Sequence, residues 1–244
     1  MDIGKAFGFV FEDERWFSKI LLGAVIMLIP IFGQLAVAGY VIDVIRNVMA
    51  GNPRPLPDWS DLGRKFMDGL MVTIANLVYG LPIWIIVCPI FFVWLLPMLG
   101  PIIGGENNDV VGTLMATLTG VAGLLTVAGA CLASLFGILL ALLQPVLQIR
   151  YARSGQLGAC FQVGEVFRFL FTNIGPIIIA ALVLLGAGMA VGIAMSVVGT
   201  VVGLIPCLNV ILAFVVPLLA LPLGMWVSVI GGHLYGQIGQ RAGA

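Results

Sequence analysis

The side chains that could do chemistry in this 244-residue chain are few. There is one histidine, His233, and a handful of polar residues lie inside apolar stretches: Asn76, Gln144, Gln148 and Asn209. One histidine cannot assemble a multi-histidine metal centre. Cys88, Cys131, Cys160 and Cys207 are widely separated with no C-x-x-C pair, and read as small apolar packing residues. Ser228 and His233 are five positions apart, off the spacing that puts two side chains on one helical face. There is no H-E-x-x-H, no G-x-S-x-G and no P-loop lysine motif. No catalytic residue, metal site or cofactor is therefore expected, and the chain reads as a non-enzyme.

The ionisable residues constrain mechanism in the same direction. Ion-coupled pumps carry an ionisable group near the membrane midplane, whereas almost every carboxylate here lies near the end of an apolar stretch or in a linker. Asp43 is the nearest exception, and with Arg46 three residues on it reads as an interfacial ion pair. His233 reads as a hydrogen-bonded interface histidine. Asn76 and Asn209, near Pro82, Pro89, Pro217 and Pro222, are the candidates for a polar cavity between broken helices.

The elements that must hold these residues are membrane helices. Hydrophobic residues make up 61% and charged residues 9% of the chain, with a mean hydropathy of +1.17, which excludes a soluble globular fold. Eleven Lys and Arg balance eleven Asp and Glu, so there is no basic surplus for nucleic acid. Five apolar bands cover 20–45, 70–99, 110–149, 174–205 and 207–238. About 20 residues suffice for a helix to cross, so bands this long must tilt, kink at proline, overrun the interface or fold back. The acidic start of the chain does not resemble a secretory signal.

Basic residues fix the expected orientation. Arg46, Arg54, Arg64 and Lys65 flank the 46–69 linker, and Arg150, Arg153 and Arg168 flank the 150–173 linker, so both are expected in the cytoplasm. A hairpin in the first band, broken at Pro30 to Gly33, would put all eleven basic residues on one side with both termini cytoplasmic; a single tilted helix with an outside N-terminus is the alternative. Residues 1–19 read as an interfacial helix, with Ile3, Phe7, Val10, Phe11 and Phe17 on one face. Val163, Val166, Phe167 and Leu170 make a second such segment, a weak sign of an internal repeat.

Small residues form two stripes at helical spacing. Gly112, Gly120, Gly123 and Gly137 lie along the third band, and Gly188, Gly192, Ser196, Gly199 and Gly203 along the fourth. Such faces allow close backbone approach, and close packing of the third helix on the fourth is expected, with a homo-oligomer seam or a lipid crevice as alternatives. The linker Gly51 to Asp61 carries Pro53, Pro55 and Pro57 and reads as a stiff extended segment. Together with Tyr40 and His233, the residues Arg46, Arg54, Trp59, Arg64 and Lys65 form a candidate cytoplasmic docking or lipid-headgroup face.

Several of these residues carry a likeness to a known family. Gly39-Tyr40 with Arg46 and Gly51, then Leu56-Pro57-Asp58-Trp59, Asp68-Gly69-Leu70 and His233-Leu234-Tyr235-Gly236-Gln237 resemble the prokaryotic membrane family catalogued as domain of unknown function 4013. The resemblance implies a polytopic protein of a bacterial or archaeal inner membrane and supplies no activity or substrate. The sequence thus predicts an all-α integral membrane protein, residues 1–244 as one polytopic domain with about six membrane-inserted kinked helices and one or two interfacial helices. Its expected role is non-enzymatic binding of membrane lipids or of a protein partner, including a second copy of itself. A small transporter or channel for an apolar or lipid-like substrate is the alternative.

Overall fold

The structure, a computed structural model, describes the backbone of residues 1–95, 109–203 and 209–243, and the side chains of these except 109, 111, 202–203 and 209–215. Every regular element among the described residues is helical: α1 (Ile3–Gly8), α2 (Trp16–Met27), α3 (Phe32–Met49), α4 (Leu62–Leu95), α5 (Asp109–Ser154), α6 (Val163–Thr172), α7 (Ile174–Gly203) and α8 (Asn209–Ala242), with single 3-10 turns at Phe9–Glu12 and Leu157–Phe161. Four helices are long and apolar enough to cross a membrane, over Leu62–Leu95, Gly112–Ser154, Ile174–Val201 and Val216–Ala242. Only 6, 6, 11 and 33% of their most apolar windows is buried by protein. Surfaces this apolar need hydrocarbon around them, and the chain is a helical membrane protein.

The first band is a hairpin. Its arms are α2, 12 residues and roughly 18 Å long, and α3, 18 residues and roughly 27 Å long, both under the ~30 Å hydrocarbon core. The turn hydrogen-bonds to itself: Leu28, Ile29 and Gly33 amides donate to the Val25, Ile26 and Ile29 carbonyls, and the Phe32 amide donates to the Pro30 carbonyl at 2.7 Å. Ile31, at φ 64° and ψ −61°, is the centre of a γ-turn of the strained hand and is 77% exposed. With the Leu28, Ile29, Phe32 and Gly33 amides bonded and Leu28, Ile29 and Ile31 facing outward, the turn presents a largely apolar surface.

The chain divides into two compact units, residues 1–75 with 142–244, and residues 76–141. In the first, α3 is central, with Ala36, Val37, Tyr40, Val41, Ile42, Val44, Ile45 and Val48 all buried. Tyr40, Val44 and Val48 share a core with Phe9, Val10, Ile20, Leu56, Met225 and Val229. The N-terminal segment docks through Ala6, Phe9 and Val10, while Ile3, Phe11 and Phe17 of its expected apolar face are left exposed by the protein. The other amphipathic segment, α6, buries Val166 and Leu170 against the protein, while Val163 is exposed.

The second unit comprises the later part of α4, which contains Pro82 and Pro89, and the earlier part of α5. Trp94 Nε1 donates to Thr126 Oγ1 at 2.7 Å, and Gly129 lies beneath Ile90. The band at 110–149 does not fold back; α5 runs unbroken for 46 residues through Pro145.

Close backbone approach occurs away from the stripes. A Cβ added at Gly112, Gly120, Gly123, Gly137, Gly188, Gly192 or Gly199 would meet no atom within 4 Å; Gly203 lies among residues whose side-chain environment is not described. The tight crossing is that of α3 with α4. There a Cβ on Gly39 would collide with the Lys65 carbonyl, and one on Gly69 with the Leu35 carbonyl. Gly39→Ala or Gly69→Ala is expected to lower unfolding stability in detergent by about 1–3 kcal/mol, whereas Gly192→Ala with Gly199→Ala should change it by less than about 0.5 kcal/mol. Ile31→Gly, which releases a left-handed backbone at an exposed site, should raise the same stability by about 1 kcal/mol.

Candidate functional site

Two ion clusters organise one end of the first unit. Asp43 on α3 receives Arg46 Nη1 at 3.2 Å, Arg64 Nη2 at 3.0 Å and Lys65 Nζ at 3.1 Å. Asp68 on α4 accepts from Arg46 at 2.5 Å and from the Tyr151 hydroxyl at 2.8 Å, while Arg46 Nε donates to the Ala152 carbonyl. The expected Asp43–Arg46 pair is thus one edge of a network joining α3, α4 and α5. Lys65, 2% exposed, also donates to the Ser60 carbonyl. Each buried charge here has a charged partner, without which burial would be prohibitive.

The second cluster folds the proline-rich linker onto the hairpin. Lys19 Nζ reaches Asp13 Oδ2 at 2.8 Å, Asp58 Oδ1 at 3.0 Å and the Leu56 carbonyl at 3.0 Å. Trp59 stacks on Tyr40 with ring centroids 4.3 Å apart, its Nε1 donating to the Lys19 carbonyl and the Tyr40 hydroxyl donating to the Pro57 carbonyl.

The docking face expected from Tyr40, Arg46, Arg54, Trp59, Arg64, Lys65 and His233 is therefore largely interior. Tyr40, Lys65 and His233 are buried, Arg46 and Trp59 half-buried, and only Arg54 and Arg64 remain exposed. His233 stacks on Phe9 at 4.3 Å, and its Nδ1 lies 3.0 Å from Gln237 Nε2. Gln237 in turn accepts the Asp2 amide at 2.6 Å. This histidine seats the N-terminal segment on α8. Among the described residues no group of three His, Cys, Asp or Glu side chains could hold a metal.

The expected cavity at Asn76 and Asn209 falls partly outside the described residues. Asn76 is half-buried and already engaged by a partner, and the Asn209 side chain lies outside the described residues. A polar cavity does exist in the first unit, but on other residues. It has a volume of about 340 Å³ and is lined by Met27 of α2, Gln34, Val37, Ala38 and Val41 of α3, Gln144 and Gln148 of α5, Leu184 of α7, and Val227, Ser228, Gly231 and Tyr235 of α8. No lining residue carries a formal charge. Gln148 Oε1 is buried without a hydrogen-bond partner, and Ser228 Oγ donates to the Gly224 carbonyl at 2.8 Å. Gln144 precedes Arg150 by about 9 Å of helix, and Gln34 precedes Arg46 by about 18 Å, so the lining extends along the helices away from the charged end.

Gln144 and Gln148 stood out in sequence as intramembrane amides. Gln34 and Tyr235 did not, because each sits next to a feature, the Pro30 turn or His233, that already had an explanation. A sharper signal was the spacing of Gln144 and Gln148, four apart on one face around Pro145.

The Lys19 cluster makes stability acid-sensitive. Burial alone would raise the Asp13 pKa, but the Lys19 hydrogen bond and charge outweigh it and hold the carboxyl below its ordinary 3.8. A depressed carboxyl stabilises the fold above its unfolded pKa and loses that contribution as pH falls through the folded value. Thermal unfolding followed as a function of pH should show a loss of stability beginning below about pH 4. Asp13→Asn should flatten that limb and cost on the order of 1–3 kcal/mol at neutral pH.

Comparison with known proteins adds family membership and nothing on activity. No curated protein and no solved structure matches the chain. A family model does match, over residues 22–200, a stretch that takes in the hairpin, both ion-pairing helices and Gln34, Gln144 and Gln148, and stops short of Ser228 and Tyr235. The earlier likeness is thereby shown, and the chain belongs to the family described as Protein of unknown function (DUF4013).

Proposed function

We propose that this protein is a non-enzymatic, multi-pass component of a prokaryotic cytoplasmic membrane that takes a lipid from the surrounding bilayer into the crevice between α3, α5, α7 and α8. The observation that carries this reading is the set of hydrogen-bonding groups left unpaired there. Gln148 Oε1 is orphaned, and the side chains of Gln34, Gln144 and Tyr235 make no hydrogen bond within the chain among the described residues. At this depth water is scarce, and an unmet polar group costs several kcal/mol. Polar groups gathered around a cavity of about 340 Å³, a size within the small-ligand range, are best met by a polar group entering from the lipid phase.

In this reading the hairpin is a half-depth insertion, so that the helices entering the membrane number six, four crossing and two returning. The charged end with both chain termini faces the cytoplasm, as the distribution of Arg and Lys favours. Membrane lipid is the partner; nucleic acid is not. The alternative of a small transporter or channel for a lipid-like substrate has less support, because its expected marker Asn76 is already engaged.

Native mass spectrometry of the protein released from discs made from its own membrane tests the reading. A retained lipid is expected on the wild type, and Gln144→Leu with Gln148→Leu should reduce its occupancy at least about tenfold, equivalent to 1.4 kcal/mol, without lowering the unfolding temperature. Equal occupancy in wild type and variant, or retention of a protein partner alone, would overturn it.

A further inference from the structure

Resting on the lipid-binding reading above, we infer that the crevice selects an uncharged lipid whose head donates hydrogen bonds, a hydroxyl-headed diacylglycerol being the simplest, and rejects phosphate-headed lipids. The chemistry of the unmet groups decides this. Gln148 Oε1 is a buried acceptor with no donor. Ser228 is the second acceptor, since its single proton is committed to the Gly224 carbonyl and only its lone pairs remain for a ligand. A phosphate is predominantly an acceptor and donates only through a residual P–OH that carries its charge into the site, whereas a free hydroxyl donates to one of these groups without a charge. The Gln34 and Gln144 amides and the Tyr235 hydroxyl supply donors suited to the ester carbonyls of the same lipid.

Charge points the same way. No lysine or arginine lines the crevice, and the four cations Arg46, Arg64, Lys65 and Arg150 are committed elsewhere. Arg46 is held by Asp43, Asp68 and the Ala152 carbonyl, Arg64 and Lys65 by Asp43, and Arg150 by Glu165, Gln162 and the Ala159 carbonyl. A phosphate carried below that level would lose its hydration with no cation to replace it, which is unfavourable in hydrocarbon. A neutral head loses less and gains the hydrogen bonds that the protein leaves open. Its acyl chains have apolar surface at hand in Leu28 and Ile29, half-exposed beside Met27, and in Leu182 and Leu185 on α7.

The test uses the whole protein in phosphatidylcholine discs doped equally with dioleoylglycerol or with dioleoyl phosphatidic acid, and counts bound lipid by native mass spectrometry. Dioleoylglycerol should be retained at least about tenfold over phosphatidic acid. Both Gln148→Leu and Ser228→Ala should weaken its retention; Ser228→Ala, the milder change, decides the matter if Gln148→Leu fails to fold. Phosphatidic acid bound as well as dioleoylglycerol would overturn the selectivity while leaving lipid binding intact. Neither lipid bound above the phosphatidylcholine background would overturn the lipid-binding reading itself. Selective retention unchanged in folded variants would place the lipid elsewhere and overturn the assignment of this crevice.

Discussion

The contact on which the rest of the structure depends is the backbone crossing of α3 and α4 at Gly39 and Gly69. With no side chain between them, the two helices meet carbonyl against Cα, and Leu35 and Lys65 face the opposing glycines. That separation fixes a register in which Asp43 comes opposite Arg64 and Lys65, and Arg46 opposite Asp68. A larger residue at either glycine would push the helices apart and leave charges buried without partners, so the packing contact and the electrostatic network stand or fall together.

From that crossing the polar architecture follows outward. The network ties α5 through Tyr151 and Ala152, which sets the turn of helix carrying Gln144 and Gln148 beside α3. The proline-rich linker, held by Lys19 and by the Tyr40–Trp59 stack, covers the same end and keeps α2 against α3. In the first unit the ion pairs of Asp43 and Asp68 gather at one end, and the crevice is lined by uncharged residues. A site built this way discriminates by hydrogen-bond donors and acceptors, because it has no net charge with which to discriminate by sign.

Much of this was legible in the sequence, for reasons that can be named. The hairpin followed from Pro30 and from the one-sided distribution of Arg and Lys, both local or additive signals. The Asp43–Arg46 pair followed from helical spacing, but its partners Arg64, Asp68 and Tyr151 are distant in the chain and no periodicity announces them. The close backbone approach at Gly39 and Gly69 was not singled out as packing in the sequence, because neither glycine belongs to a small-residue stripe, and only the folded α3–α4 pair brings them together. The linker looked like an extended docking arm because prolines prevent regular structure, yet Trp59 and Leu56 give it an apolar face that only the folded hairpin can receive. The crevice was half visible, through Gln144 and Gln148, and half hidden, because Gln34 and Tyr235 join them only after α3 and α8 are side by side.

The hairpin turn also bears on how such a chain gets into a membrane. Leu28 to Ile31 carry no charge, and the Leu28 and Ile29 amides close on carbonyls of α2, so entry of this segment moves no ion into the bilayer. Insertion of α2 and α3 is then a one-sided event that leaves their flanking charges where synthesis put them. It can follow the placement of the longer helices, with the Gly39–Gly69 crossing as the step that locks it in.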